Sequence, residues 1–252
     1  MLRQKQNVMP STSEVGHAKN VANFEHLISF CTGYGSSYNP SKNSIKLTAL
    51  NNQLTEAQKA IAEVTAKTVA YNNNVNVRMA LFEPLKKLST RLVNSLIATD
   101  ASAETISDAK SINKKIQGQR ASSKKEMVAN PDPNQPAPES ISTSQQSYDQ
   151  LTEHFSKIIE LLGAESSYTP NETELQVSTL DTQLKDLRTA NTNVGNAYTA
   201  ISNSRISRNK ILYNETTGLC QTALEVKNYI KSVFGATSPE YKQVSKLKFK
   251  TQ

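Results

Sequence analysis

The chain has 252 residues, 37% of them hydrophobic and 20% charged, with a formal net charge of +7. That length supports one large domain or two small ones, and no apolar run approaches the roughly 18–20 residues that span a bilayer. Only eight glycines and no tryptophan, beside abundant Ala, Leu, Lys and Gln, argue against a sheet-rich fold and for helices.

The opening MLRQKQNVMPSTSE has no apolar segment behind it, so it does not read as a secretory leader. A cytoplasmic location is expected, with signal-independent export left open. Residues 1–18 are expected to form a flexible tail. A short amphipathic helix is predicted over 19–32. GYGSS at 33–37 follows it and reads as a helix end and turn, not a phosphate loop.

SSYNP then occupies 36–40, and SSYTP recurs at 166–170. Shifted by 130, the 29 positions from Ser36 to Val64 hold 9 identities, among them Leu50 with Leu180, Leu54 with Leu184 and Val64 with Val194. This is the signature of a tandem duplication. Each copy reads as a short helix, an SSYxP joint, a long helix and a final short helix. At the joint, Pro40 and Pro170 push the preceding residue out of helical backbone, ending one helix and preparing the next. Tyr38 and Tyr168 are expected to pack their rings on the helix they enter and to hydrogen-bond through their hydroxyls, although a paired recognition spot is the competing reading.

The first long helix is predicted over 43–98. Its stripe runs Leu50, Leu54, Ala57, Ile61, Val64, Thr68, Tyr71, Val75, Arg78, Phe82, Leu85, Ser89, Leu92 and Leu96, alternating steps of four and three. Pro84 should kink or break it. The next short helix begins at Ser102. KKIQGQRASSKK at 114–125 is the densest basic stretch, giving Lys114, Lys115, Arg120, Lys124 and Lys125 as a candidate basic patch. Residues 19–121 thus form the first helical repeat. Residues 122–143, with PDPNQPAP, read as a Pro-rich linker.

The second repeat covers 144–252, with its short helix near 145–162 and its long helix over 171–234. The stripe here is Leu180, Leu184, Leu187, Asn191, Val194, Tyr198, Ile201, Arg205, Arg208, Leu212, Glu215 and Leu219. Asn214 and Gly218 stand near the place matching Pro84. A last helix starts at Ser238, with Pro239 at a favoured first-turn position. The flanking helices are too short to cover such stripes, so the two long helices are expected to pair with each other or with another chain. An antiparallel pair keeps Arg78 from facing Arg208 and brings an arginine toward Glu215. The fold class is therefore all-α, an elongated helical bundle or coiled coil of two repeats packed into one domain. Its candidate seam is Leu54, Ile61, Tyr71, Arg78, Phe82, Leu184, Tyr198 and Arg208.

No reaction is written in the chain. Cys31 and Cys220 fit no metal or redox spacing and read as buried reduced thiols. His17, His26 and His154 lack a second ligand at helical or loop spacing, so surface or helix-cap places are expected for them. No phosphate-loop, dinucleotide or nucleophile-elbow motif occurs. No catalytic residue, metal, cofactor or small-molecule substrate is expected. The residues SSYNPSKNSIKLTALNNQL, LSTRLVNSLIATDAS and DAKSINKKIQG resemble those of uncharacterised bacterial tandem-repeat long-helix proteins with SYNPS-type joints. That resemblance implies a bacterial origin and attaches no activity.

Three functions are open. The first is a non-enzymatic structural or interaction protein that self-assembles as a homo-oligomer or binds a protein partner. The second is a polyanion or nucleic-acid binder, because residues 1–130 carry 17 Lys/Arg against 9 Asp/Glu while residues 131–252 carry 12 against 13. The third is a membrane-active, toxin-like helical protein.

Overall fold

The computed structural model describes residues 12–119 and 146–250. All regular structure among them is helical, and no strand occurs there. The helices are α1 (Thr12–Gly33), α2 (Leu47–Phe82), α3 (Leu85–Ile97), α4 (Ala103–Gln117), α5 (Tyr148–Ala164), α6 (Val177–Tyr213), α7 (Leu219–Phe234) and α8 (Pro239–Ser245). Residues 12–18, expected in the tail, belong to α1. The expected linker at 122–143 lies outside the described residues.

Each predicted long helix is two helices. Pro84 has no N–H to give to the preceding turn; α2 stops at Phe82 and α3 starts after Pro84, whose carbonyl already accepts from the Leu88 N–H at 2.9 Å. The second interruption has another cause. Asn214 Oδ1 accepts from the backbone N–H of Thr216 and of Thr217, both at 3.0 Å, and from both threonine hydroxyls. A side chain that satisfies the amides two and three residues ahead offers the backbone an alternative to helix. Three starts follow the capping rule: Ser102, Ser147 and Ser238 side chains accept from the N–H groups of Thr105, Gln150 and Tyr241. Gly118 ends α4 in left-handed backbone, at φ 74°.

The chain divides into two compact units that cut across the expected repeats. One comprises residues 1–71 and 197–252, the other residues 72–196. In the first, α1 and the start of α2 pack with α7 and α8 around Phe24, Leu27, Cys31, Leu50, Leu219, Val226 and Ile230. In the second, α3, α4, α5 and the start of α6 enclose Leu92, Leu96, Ile116, Phe155, Ile158, Leu180 and Leu187. Each core thus draws on both halves of the sequence. Full burial of a Leu, Ile or Phe side chain contributes about 1.5–3 kcal/mol, so these side chains are what holds each unit.

Candidate interaction site

The joints have the same geometry. After each tyrosine the chain forms a single 3₁₀ turn, Asn43–Ile45 in one and Thr173–Leu175 in the other. Tyr38 Oη donates to the Ile45 carbonyl at 2.6 Å, and Tyr168 Oη donates to the Leu175 carbonyl at 2.9 Å. Both rings are buried, and burial pushes both phenols above their ordinary pKa. Pro40 is buried and Pro170 half-buried. Tyr38 also meets Tyr229 edge to face, with centroids 5.3 Å apart.

The α2–α3 stripe faces inward: each position named for it from Leu50 to Leu96 is buried or half-buried. Within the first unit, Leu54 and Ile61 lean on the core. Gln53 donates to the Thr217 carbonyl at 2.8 Å, and the rings of Tyr71 and Tyr198 are 6.2 Å apart. Within the second unit, Phe82 and Leu184 are buried. The predicted α6 stripe is buried or half-buried at Leu180, Leu184, Leu187, Asn191, Val194, Ile201, Arg208 and Leu212, but misses at two positions, where Tyr198 is 63% exposed and Arg205 is exposed. Ala190, Ala197 and Ser204 lie inward beside Val194, Ile201 and Arg208.

The arginines behave differently from the expectation that one would meet Glu215. The Arg78 guanidinium lies 4.1 Å from the centroid of the Tyr148 ring, a cation–π contact, and Phe82 meets that ring edge-on at 4.8 Å. Arg208 is buried and donates to Asn209 Oδ1 through Nε at 3.1 Å and Nη2 at 2.8 Å. Glu215 is exposed in the turn after α6.

Two histidines are also placed against expectation. His26 is exposed, but His17 and His154 are buried. His17 Nδ1 and Tyr213 Oη share a 2.5 Å hydrogen bond, and Asn20 Nδ2 reaches the same hydroxyl at 3.3 Å. His154 has no hydrogen-bond partner at either ring nitrogen. Burial, with Lys115 and Lys157 nearby, holds its pKa below the ordinary histidine value. Amphipathic spacing alone could not reveal this, because a histidine on the inner edge of a helix reads like one on the outer edge.

Cys31 and Cys220 are free and buried, and burial pushes their thiols up to about 12 and about 11. Lys114 and Lys115 are exposed in the last turn of α4, where Gln146 Nε2 donates to the Lys115 carbonyl at 2.7 Å. Arg120, Lys124 and Lys125 lie outside the described residues. Among the described residues, no group of three His, Cys, Asp or Glu side chains is placed to hold a metal ion, and no helix is long and apolar enough to cross a membrane.

The sequence reading missed a further set of contacts in the first unit. Leu247–Lys250, after α8, has no regular secondary structure. Asn20 and Asn23 of α1 and Lys227 of α7 make hydrogen bonds to its backbone. Two asparagines three apart on an amphipathic helix were the available signal. No family model matches the chain, and no curated protein or solved structure is significantly similar to it.

Proposed function

We propose that the chain is a non-enzymatic helical interaction protein. It is built from two tandem repeats whose long helices run antiparallel, and it presents its surface to a protein partner or a second copy. The antiparallel direction is supported by Gln53 meeting Thr217 while Tyr71 meets Tyr198: one number rises as the other falls. Duplication is supported by the two tyrosine hydroxyls that each close on the carbonyl seven residues ahead. The observation that carries the functional reading is the fate of the polar interior. Arg208 is buried against Asn209, Arg78 is stacked on the Tyr148 ring and His17 is buried on the Tyr213 hydroxyl, so the side chains best suited to chemistry are taken up in the packing of the folded chain.

The test is size-exclusion chromatography with light scattering on the chain and on Leu54→Glu and Leu184→Glu, reading absorbance at two wavelengths. A defined species free of nucleic acid is expected, with helicity and assembly lost in both variants. Folding and association that survive both changes overturn the seam. Co-eluting nucleic acid that high salt strips away replaces this reading with polyanion binding.

A further inference from the structure

A backbone stretch outside a helix or sheet must find partners for its amides and carbonyls. Leu247–Lys250 finds them on side chains from two helices. Asn20 Nδ2 donates to the Lys250 carbonyl at 2.8 Å, while Asn20 Oδ1 accepts from the Lys250 N–H at 3.0 Å. Asn23 Nδ2 donates to the Lys248 carbonyl at 2.6 Å, and the Lys227 ammonium donates to the Leu247 carbonyl. The side chains alternate as on a strand: Leu247 and Phe249 are half-buried against the core, Lys248 and Lys250 are exposed. The Lys227 ammonium also sits 5.1 Å from the centroid of the Phe249 ring.

This is how extended peptides are bound: main-chain hydrogen bonds hold the strand, and seats for alternate side chains select its sequence. The two asparagines are more than 220 residues from what they grip. Asn20 is 1% exposed and is almost wholly committed to the clamp and to Tyr213 and Cys220 beside it. The occupant is held by half-burial of two side chains and a few hydrogen bonds, set against the entropy of ordering the stretch.

We propose that the groove between α1 and α7 is an extended-peptide site for an apolar–cationic–apolar–cationic segment. It is filled in cis by Leu247–Lys250 and is able to take the same segment from a second copy. That occupant is the one whose fit is on display. Exchange breaks and remakes identical contacts, so only the link through Lys246 must open, which is why swapped segments are a low-cost route to dimers. The proposal deepens the interaction reading by naming the partner and the surface.

The probe is a fluorescein-labelled peptide, SKLKFKTQ, titrated into the chain ended after Lys246 and followed by anisotropy. Saturable binding is expected, at least ten-fold weaker to the full chain, whose groove is already filled. Asn23→Ala, a change at a half-exposed residue, should weaken binding to the shortened chain at least ten-fold, and a peptide with alanine for both Leu247 and Phe249 should not bind. If the shortened chain loses its helical circular dichroism, the full chain carrying Leu247→Ala and Phe249→Ala takes its place, since it keeps the backbone and empties the two seats. A folded chain of either kind that ignores the peptide overturns the site and leaves the seam standing. Peptide binding with a full chain that stays monomeric at every concentration overturns the second copy as occupant.

Discussion

Removing one oxygen from each joint tests why the pentapeptide is written twice. In Tyr38→Phe the ring stays, with its edge-to-face contact to Tyr229, while the 2.6 Å bond to the Ile45 carbonyl goes, together with the hydroxyl's hydrogen bond to Cys31. Tyr168→Phe does the same to the 2.9 Å bond with Leu175. Both tyrosines and both accepting residues are at most 6% exposed, so water does not take the place of the lost donor. A hydrogen bond contributes about 0.5–1.5 kcal/mol net, and a buried acceptor left without a partner costs about 1–3 kcal/mol. Each variant should therefore lose about 1–3 kcal/mol in urea unfolding, with Tm lower by about 2–4 °C per kcal/mol for a chain of this size. Hydrogen exchange should place the loss: amides of residues 12–71 and 197–250 open in Tyr38→Phe, and amides within 72–196 open in Tyr168→Phe. A loss under about 0.5 kcal/mol at both sites, the range of an ordinary surface change, would refute the view that these hydroxyls lock the joints.

Two further outcomes follow from burial and close approach. The His154 imidazole has a folded pKa below its unfolded value, so the folded state resists taking a proton. Stability is full above the ordinary histidine pKa of about 6.5 and falls as pH drops below it, a slope that His154→Phe should flatten in pH-dependent urea unfolding of the second unit. At Gly218, φ is −70°, which any residue adopts, yet a Cβ there would lie 2.5 Å from the backbone N and O of Asn214. Backbone cannot swing aside, so Gly218→Ala should cost about 2 kcal/mol or more in thermal unfolding, against less than 1 kcal/mol at Gly16, which has open space around it.

Features set by local chemistry were legible in the sequence. The 3–4 stripe marked the inward faces of α2 and α3, Pro84 marked a break, and Ser102 and Ser238 marked helix starts. The joint tyrosines could be read because the hydroxyl finds its acceptor within seven residues. What stayed hidden depends on partners distant along the chain. Nothing in α1 says that it packs on α7, and nothing in Asn20 says that it grips Lys250. The phase error at Tyr198 and Arg205 has a different source. A strict seven-residue count selects Tyr198 and Arg205 and ranks a tyrosine above an alanine as a core residue, whereas the residues that lie inward are Ala197 and Ser204, one position earlier. His17 and His154 were misplaced because burial of an imidazole depends on what lies across from it.

The interruption of one unit's sequence by the other's sets an order of events at the ribosome. Residues 72–196 form an unbroken span, so that core can close as soon as α6 has begun to emerge, while residues 12–71 must wait for α7 and α8. During synthesis the early apolar side chains, Phe24, Leu27 and Leu50 among them, stay without their final partners for more than 150 residues of elongation. Contacts so far apart in sequence close slowly, and exposed apolar helices are what chaperones bind. The last unit to form is the one that joins the two ends of the chain, so a ribosome that stalls past residue 196 releases a finished second unit attached to an unfinished first one.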